Sequence, residues 1–489
     1  MANLFKQSRG KNKSIPASSA KKRRTSANAQ VAGLRFNRQG ENAYKEEAHK
    51  PGTANNQGQV KRVTVDSLDW MGQGIVRGKP VMFVQGALPG ETCDVEITSS
   101  KKQVAMAKVS KVVIPAPERR EPFCPVYARC GGCQLQHIAP DDALSLRDSA
   151  LKNMLMHQLS MREEAWQPPL VGERPQYRRK ARLAIDARNP DNLKLGFREA
   201  NSNNVVNIVA CPILVDPLKN VIGPLQQAIQ GYDTSRHIGH IALMAGDNFA
   251  QVTVKHTKAL EGELIDSLAA VSKAHKMALI LENKKGEWRE RYHPSPDSQG
   301  ITISTIDGFS IAPAPNDFIQ VNKQVNQKMI AQALDWLSPA RGERIADWFS
   351  GLGNFTLPIA NSGAQVQAIE GAAEMVKRAQ ANAQHQGITN VDWLHLDLSD
   401  KANVETSLSQ NFDKVLLDPS REGALTVCHA LVKATPKAIV YVSCNPSTFS
   451  RDAKVLLDGG YEMEKAGVIE MFPFTHHMEM MALFTRTQQ

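Results

Sequence analysis

From about residue 325 onward, short apolar strands alternate with helical stretches, and this alternation constrains the fold more than any other feature of the chain. A helical stretch, VNQKMIAQALDWL, comes first, and the strands ERIADWF, AQVQAIEG, KVLLDP and AIVYVSC follow with helical segments between them. Strands that alternate with helices in this way form a parallel, doubly wound sheet. Ligands of such sheets bind at the carboxyl ends of the strands, so the residues that follow each strand are candidates for a site.

The first strand end carries DWFSGLGNFTLPIA, residues 347–360. Gly351 and Gly353 allow a tight turn and a close approach of the backbone to a ligand, but Phe355 and Thr356 follow Asn354, so the third glycine of a dinucleotide fingerprint is missing. The next strand ends at Glu370, at the distance expected of a carboxylate that accepts both hydroxyls of a ribose. A ribose without a pyrophosphate indicates S-adenosylmethionine (SAM). An ordinary turn between strand and helix is the alternative interpretation.

A later strand runs into KVLLDPSREGA and places Asp418, Arg421 and Glu422 beyond its end. Methyltransferases that act on exocyclic amines often show Asp or Asn, two prolines and an aromatic residue at this point. Ser420 interrupts that pattern, which argues against an amine substrate.

The last strand of the series delivers Cys444 to its own end, in KAIVYVSCNPSTFSRD. Pro446 cannot donate to a sheet ladder and keeps Asn445 out of helical geometry, so the chain must turn there. Methylation of an oxygen or amine needs no thiol, whereas methylation of a pyrimidine at C5 does. A thiolate that adds at C6 makes C5 nucleophilic, a base later removes the C5 proton, and the thiol leaves. A small buried hydrophobe is the alternative interpretation of this cysteine.

The base that this chemistry requires has three candidates in FPFTHHMEM, residues 472–480: His476, His477 and Glu479. Histidine has a convenient pKa, and partial burial raises the pKa of a glutamate toward the same range. These residues alone do not separate the candidates.

A second constellation consists of Cys124, Cys130 and Cys133 in CPVYARCGGC, with Cys211 in VACPIL as a candidate fourth ligand. Such a set suits tetrahedral zinc or an iron–sulfur cluster. The spacing C-x5-C-x2-C is neither the paired-knuckle zinc pattern nor the C-x3-C-x2-C pattern of radical SAM enzymes.

Composition points to a nucleic-acid partner, because the formal net charge of the 489-residue chain is +10 at pH 7 and a basic protein attracts polyanions. The chain has no apolar run long enough to span a bilayer, and its N-terminus lacks the apolar block of a signal peptide. We therefore expect a cytoplasmic protein with no membrane contact. In that compartment the seven cysteines are expected to serve metal binding or catalysis and not disulfides.

The texture of the chain predicts four regions. Residues 1–55 are basic and polar, as in a disordered tail that contacts phosphate backbones. Residues 56–114 form short alternating runs with glycine turns, which predicts a small OB-like β-barrel. Residues 115–320 mix strands and helices, as in an α+β domain with a helix at 140–159. Residues 321–489 hold the doubly wound sheet.

In order along the chain, CPVYARCGGCQLQH, FIQVN, WFSGLGNFTLPIA, LDPSREGA, SCNPSTFSRD and FPFTHHMEMMALF resemble the motifs of the RNA uracil-C5 methyltransferases. The closest likeness is to the bacterial 23S rRNA members with a TRAM domain and a [4Fe–4S] cluster, and it covers about residues 60–485. It implies a multidomain fold: a TRAM barrel, a central α+β domain carrying the Fe–S cluster, and a C-terminal α/β Rossmann-like SAM-dependent methyltransferase domain on which the helix at 140–159 packs. It also implies formation of 5-methyluridine in 23S rRNA through a covalent bond between a cysteine and C6 of a flipped uridine. We expect a monomer, because RNA would complete the site.

The resemblance also implies residue roles. Cys444 matches the nucleophile and Glu479 the base, and Ser350 stands where many members have cysteine. Iron–sulfur is favoured over zinc because the four cysteines match cluster ligands, namely Cys124, Cys130, Cys133 and Cys211. The positions that match the SAM pocket are Gln320, Phe349, Asn354, Glu370, Asp397 and Asp418.

Three alternatives stay open at this point. The first is a 5-methyluridine methyltransferase for another rRNA site or for tRNA, although the tRNA enzymes of the family lack both the barrel and the cysteine cluster. A radical SAM methylthiotransferase also combines TRAM with Fe–S, but its cysteine spacing differs. A non-catalytic RNA-binding assembly factor would keep its function without Cys444.

Overall fold

The computed structural model describes residues 57–295 and 300–486, and the predicted basic tail at residues 1–55 lies outside them. Within the described part, no helix has the length and apolar character needed to cross a bilayer.

The first sheet is built from six short strands, with β1 at Val60–Thr64, β2 at Ser67–Leu68, β3 at Gly74–Val76, β4 at Val81–Gln85, β5 at Thr92–Ser100 and β6 at Val104–Ile114. Its spatial order is β1-β5-β6-β4-β3-β2. Buried and partly exposed residues alternate along β4 and β5, so every second side chain enters one small core that includes Val84 and Val95. Gly86 and Gly90 both have φ above +79°, which makes glycine suitable for these two turns.

Helix α1, Pro140–Leu159, follows the first sheet in the chain. It begins with a proline at its first position and two aspartates in its first turn, as the sequence predicts. Its buried residues, Leu144, Leu151, Leu155 and Leu159, join the same apolar cluster as Trp348 and Phe449 of the C-terminal region. The helix thus packs on the C-terminal region, chiefly against its helix at Pro446–Asp458.

The central region has a seven-stranded mixed sheet on which helices α3 and α4 pack. The elements in chain order are β7 Trp166–Leu170, β8 Lys180–Asp186, β9 Lys194–Arg198, β10 Val205–Asn207, α2 Asp216–Lys219, α3 Ile222–Ile229, β11 Ile238–Ala245, β12 Ala250–His256, α4 Gly262–Ala274, β13 Met277–Glu282, β14 Trp288–Tyr292, β15 Ile303–Ser304 and β16 Ser310–Ile311. The spatial order of the sheet is β10-β9-β8-β11-β12-β13-β14, while β15 and β16 form a separate pair.

The C-terminal region is the doubly wound α/β sheet that the sequence predicts. Its elements are α5 Lys323–Leu337, β17 Arg344–Trp348, α6 Thr356–Asn361, β18 Gln365–Glu370, α7 Ala373–His385, β19 Val391–His395, α8 Lys401–Leu408, β20 Lys414–Leu417, α9 Leu425–Ala434, β21 Ala438–Ser443, α10 Pro446–Asp458, β22 Glu462–Ile469 and β23 Glu479–Thr485. The eight strands lie in the order β19-β18-β17-β20-β21-β23-β22-β7. Strands β17 to β21 are parallel, whereas β23 runs antiparallel to β21. The carboxyl ends of five strands and the amino end of β23 therefore meet at one edge.

One element at this edge extends what the sequence analysis expected. The chain turns at Pro446, as predicted, but the turn is also the start of α10. Proline is favoured at the first helical position, where its missing N–H would have had no intrahelical partner. Asn445 is the N-cap, and its Oδ1 accepts a hydrogen bond from the Ser447 amide at 3.1 Å. Cys444 thus lies between the end of a buried strand and the start of a helix.

Candidate active site at the carboxyl edge of the sheet

The nucleophile candidate and a base candidate are neighbours because of strand register. Ser443 at the end of β21 pairs with Met480 near the start of β23. Cys444 follows Ser443 and Glu479 precedes Met480, so the antiparallel pairing brings the thiol and the carboxyl group to the same point of the edge. Glu479 is 5 % exposed and Cys444 is half-buried. The carboxyl edge of the sheet therefore places a thiol nucleophile next to a buried carboxyl group.

Burial controls the protonation of this pair. Burial, together with repulsion from Asp418, raises the pKa of Glu479 to about 8. Burial also raises the pKa of the Cys444 thiol to about 12, and Glu479 and Asp418 add to that rise. Arg421 acts in the opposite direction on both groups. Near neutral pH both groups of the free protein therefore hold their protons.

Asp418 itself lies at the end of β20, where its half-buried side chain faces both members of the pair. Burial raises the pKa of this carboxyl group to about 7. Carboxyl groups that share a desolvated site cannot all ionise without repulsion. The edge thus collects acidic groups with shifted pKa values, as functional sites do.

Asp347 is a further member of this acidic edge, which sequence reasoning noted only as the end of a strand. It is fully buried, and burial raises its pKa to about 7, with contributions from Asp418 and Glu370. The Thr356 hydroxyl donates to its Oδ2 at 2.5 Å, while its Oδ1 has no hydrogen-bond partner within the described residues. The signal that could have identified it is its position just before the GLG turn.

The glycine turn after β17 has the tight geometry that the sequence predicts. Phe349, Gly351 and Gly353 have φ values of 66°, 56° and 94°. A positive φ is unusual for an aromatic residue and marks a constrained loop. Glu370 closes the loop, since its Oε2 accepts from the Gly351 amide at 3.1 Å and its Oε1 from the Ala372 amide at 2.9 Å. Each oxygen keeps a lone pair that a ribose hydroxyl can use.

The other predicted pocket residues differ in what they offer. The buried side chain of Gln320 leaves its Oε1 without a partner in the part of the chain described. Asn354 exchanges two hydrogen bonds with Asn326 of α5, at 2.9 and 3.0 Å, so its amide is already used internally. Asp397 is exposed beyond β19, and its Oδ1 accepts from the amide and the hydroxyl of Ser399. The orphaned oxygens of Gln320 and Asp347, with the Glu370 carboxylate, fit a polar nucleoside cofactor at this edge.

The two histidines lie in the loop between β22 and β23, beside the same pair. Burial lowers the pKa of His476 to about 4, and the cations Arg147 and Arg421 add to the effect. Burial, followed by His476 and Arg421, lowers the pKa of His477 to about 2. Both rings are therefore neutral near pH 7 and are weak bases. Glu479 has the highest pKa of the three candidates and is the strongest base among them.

The segment of residues 123–136, called the cysteine loop below, holds three half-buried cysteines, Cys124, Cys130 and Cys133, while Cys211 is buried. Burial raises the pKa of Cys133 to about 12 and of Cys211 to about 11, and each of these thiols is raised further by other cysteines of the set. The Gly132 amide donates to Cys130 Sγ at 3.4 Å. In residues 57–295 and 300–486, no group of three or more His, Cys, Asp or Glu side chains is placed to hold a metal ion. The four thiols are thus neighbours, but they are not gathered around a single point.

This loop is bonded to the loop that carries the histidines. The amides of Gln134 and Leu135 donate to the carbonyl of Phe474 at 2.9 and 3.0 Å. Gln134 Oε1 accepts from the His476 amide at 3.3 Å, and the ring of Phe123 packs edge-on against Phe474 at 5.1 Å. The cysteine loop therefore supports the loop that precedes Glu479.

Comparison with known proteins gives two family matches. The tRNA (Uracil-5-)-methyltransferase family matches residues 309–487, and the TRAM domain matches residues 55–110. The chain is 65% identical to the 23S rRNA (uracil(1939)-C(5))-methyltransferase RlmD of Alteromonas mediterranea, over the full length of both proteins. It is 39% identical to the protein of the same name from a Shewanella species, over 90% of this chain and 98% of that one.

Among solved structures, the tRNA (uracil-54, C5)-methyltransferase of Pyrococcus abyssi in complex with S-adenosyl-L-homocysteine has a similar fold. The TM-score is 0.66 at 21% identity, and the match covers 87% of this chain and all of that chain.

Proposed function

The chain belongs to the RNA uracil-C5 methyltransferase family, as its 65% and 39% identical relatives establish, and on that premise we propose that it methylates C5 of one uridine of 23S rRNA. The uridine is the one that its relatives' name numbers 1939. The similarity to this relative over the full length of both proteins supports this choice of substrate. The observation that carries the chemistry is the pairing of β21 with β23, which sets the Cys444 thiol beside the Glu479 carboxyl group in a buried site.

Cys444 is the proposed nucleophile. Its thiolate adds to C6 of the uracil ring, and the electron pair of the C5–C6 double bond makes C5 nucleophilic. Bound SAM would supply the methyl group as an electrophile and would leave as S-adenosylhomocysteine. Gln320, Phe349, Asn354, Glu370, Asp397 and Asp418 are the residues that we propose to line its pocket, and the orphaned Gln320 Oε1 and the loop closed by Glu370 support this.

Glu479 is the proposed base that removes the proton from C5, after which the bond between C6 and Cys444 breaks and the thiol is released. A carboxylate with a pKa of about 8 is a stronger base than an exposed glutamate, and its burial keeps water from competing for the proton. The neutral histidines beside it are weaker bases, which supports this assignment.

A flipped uridine is part of the proposal. Glu479 is buried and Cys444 half-buried at the sheet edge, so a base stacked within an RNA helix could not reach them. The TRAM domain is proposed to hold flanking RNA through exposed lysines of β6 and of the turn before it, namely Lys101, Lys102, Lys108 and Lys111. We propose that one chain suffices, and a solution mass that is independent of concentration tests this.

For the cysteine loop we propose a [4Fe–4S] cluster held by Cys124, Cys130, Cys133 and Cys211. The resemblance to the family members whose cysteines hold a cluster favours iron–sulfur over a single zinc ion with Zn–S bonds of about 2.3 Å. The thiols raise one another's pKa values because they lie close together, and this proximity supports a group that all four hold. Iron and acid-labile sulfide analysis after anaerobic purification tests this, with Cys124→Ala as the variant that should lose both.

The methylation proposal is tested with 23S rRNA transcribed in vitro and SAM carrying a labelled methyl group. One 5-methyluridine, located by mass spectrometry of nuclease fragments, is expected with the wild type and none with Cys444→Ala. A non-catalytic assembly factor is the rival. It would bind the RNA, leave it unmethylated, and behave identically after the Cys444→Ala substitution.

A further inference from the structure

Arg421 is held beside the nucleophile from two sides, although the mechanism above gives it no role. Its carbonyl accepts hydrogen bonds from Asn445 Nδ2 at 3.0 Å and from the Thr448 hydroxyl at 3.1 Å. Both donors belong to the segment that directly follows Cys444. The backbone of Arg421 is therefore tied to the turn that presents the thiol.

The guanidinium group of Arg421 contacts His477, which lies in the loop between β22 and β23. Its Nη2 lies 3.2 Å from Nε2 and 3.4 Å from Nδ1 of His477. Since the His477 ring is neutral, it can accept this hydrogen bond with a lone pair. The ring is itself held in place, because it lies 4.3 Å from the ring of His476 and 5.7 Å from that of Phe472, centroid to centroid.

The backbone of this loop is also restrained. Arg147 of α1 donates to the carbonyl oxygens of His476 and His477 at 3.1 and 3.0 Å. His477 therefore presents its ring to Arg421 from a supported loop, which is what a positioning group requires.

The charged groups that act on the Cys444 thiol come from three elements. Glu479 at the start of β23 and Asp418 after β20 disfavour ionisation, in addition to burial. Arg421, three residues beyond Asp418, favours it. A thiolate is the reactive form of cysteine, and a nearby cation stabilises it. In this site, the cation that opposes two acidic neighbours is Arg421.

We propose that Arg421 stabilises the Cys444 thiolate for its attack on C6, and that His477 is the residue that positions the Arg421 guanidinium. This inference rests on the proposed covalent mechanism. The step is the ionisation of Cys444, in which the S–H bond breaks, the electron pair stays on sulfur and the proton goes to water or buffer. Arg421 is exposed in the free protein, so solvent screens its charge there. RNA that covers the site would exclude water and strengthen the interaction.

The test is the alkylation rate of Cys444 by iodoacetamide, measured on the full-length protein without RNA or SAM between pH 7 and 9. Mass spectrometry of the peptide that contains Cys444 separates it from the other six cysteines. Arg421→Gln is expected to slow alkylation about two- to threefold, which corresponds to a rise of about one third to one half unit in the thiol pKa, because solvent screens the guanidinium in the free protein. Arg421→Lys keeps the charge and is expected to retain most of the rate.

The histidine variants separate positioning from packing. His477→Ala is expected to slow alkylation in the same direction and less than Arg421→Gln, while His477→Gln keeps an acceptor and restores the rate. His476→Phe is the matched control, since it keeps a ring against His477 and the hydrogen bonds of His476 to Gln134 and Arg147 run through its backbone, and it should leave the rate near that of the wild type.

The sign of the change excludes a steric explanation, because removing side-chain atoms near a thiol opens access and speeds alkylation. Unchanged or faster alkylation in Arg421→Gln would overturn the proposal. If Arg421 only bound RNA, KM for RNA would rise while alkylation stayed the same, and that result also overturns it. Since the assay contains no RNA, it is independent of whether the wild type methylates 23S rRNA.

Discussion

At the residue scale, the site depends on acidic groups that are kept protonated by burial. Cys444, Glu479 and Asp418 all have raised pKa values, so near neutral pH the free protein avoids most of the cost of placing several negative charges in one desolvated edge. Reaction requires that some of these groups ionise. The same burial that makes Glu479 a stronger base therefore also makes its charged form expensive for the fold.

This cost predicts how Glu479→Gln changes stability with pH. The pKa of Glu479 is about 8 in the folded protein and 4.5 as its ordinary value. Between these values the unfolded chain loses a proton that the folded protein keeps, so the contribution of Glu479 to stability falls as pH rises from 4.5 and is gone above about 8. Glu479→Gln has no titrating group at this position, so its free energy of unfolding does not fall for this reason. From pH 6 to pH 9, the wild type should lose on the order of 2–3 kcal/mol more free energy of unfolding than the variant.

Urea unfolding at the two pH values measures this difference. Asp347 titrates in both proteins and cancels in the comparison, whereas the repulsion between Asp418 and Glu479 is part of the measured difference. Glu422→Gln, at an exposed position nearby, is the control and should track the wild type. An equal loss in Glu479→Gln and in the wild type would show that Glu479 does not hold a proton at neutral pH.

Sequence alone nominated the thiol and three base candidates, because each lies at a strand end or in a motif next to one. It could not choose among His476, His477 and Glu479. The pKa of the histidines is lowered by burial and by cations that include Arg147, which contacts His477 across 330 positions of the chain. No local pattern reveals a contact of that kind. The family resemblance, not the residue chemistry, favoured Glu479.

At the scale of elements, the cysteine loop and the loop between β22 and β23 form one bonded unit. Gln134 is its central residue, since its amide donates to the Phe474 carbonyl and its Oε1 accepts from the His476 amide. A group that fixes the conformation of the cysteine loop will therefore also fix the loop that leads into Glu479. This gives the predicted cluster a consequence at the active site without any direct contact with substrate.

Gln134→Ala should loosen that loop. The His476 amide loses its acceptor, so its hydrogen exchange should accelerate about fivefold, the factor that corresponds to roughly 1 kcal/mol for a lost hydrogen bond. Gln136→Ala is the matched control, because Gln136 binds the Cys124 amide at 3.1 Å within the same cysteine loop. If both variants accelerate exchange at His476 equally, the effect comes from general disorder of the cysteine loop and not from the contact of Gln134.

The elements that sequence reasoning found were those with a strong period or a clear boundary signal, such as α1, β17, β18, β20 and β21, whereas β19 was not predicted. It did not find α10, because Pro446 was interpreted as a turn and not as a first helical residue. It also did not find that β7, far earlier in the chain, completes the sheet beside β22. Pairing of β7 depends on tertiary contacts, which the apolar pattern of five residues does not encode.

At the scale of the whole molecule, one buried arginine joins three regions. Arg147 of α1 donates to Trp70 of the first sheet region at 2.8 Å and to both histidine carbonyls of the active-site loop. It is 3 % exposed. The orientation of the TRAM domain relative to the catalytic edge is thereby linked to the loop that precedes the proposed base.

Arg147→Met keeps the length of the side chain but leaves three carbonyl oxygens without their donor. The expected loss is on the order of 3 kcal/mol in the free energy of unfolding, given about 1–3 kcal/mol for each buried group left unpaired and some relief from no longer burying a cation. Urea unfolding measures it. Lys152→Met on the same helix removes a surface ion pair with Glu163 and should cost less than about 1 kcal/mol. Similar losses in both variants would contradict the bridging role of Arg147.

Covalent catalysis by Cys444 is the central claim, and trapping with RNA that contains 5-fluorouracil tests it most directly. Fluorine at C5 cannot leave as a proton, so Glu479 has nothing to remove and the bond between C6 and Cys444 persists after methyl transfer. With SAM present, the wild type should give a protein–RNA complex that survives denaturation, Cys444→Ala should give none, and sequencing of the trapped RNA should identify the uridine. Failure to form that complex by a wild-type protein that binds both SAM and 23S rRNA would contradict the account.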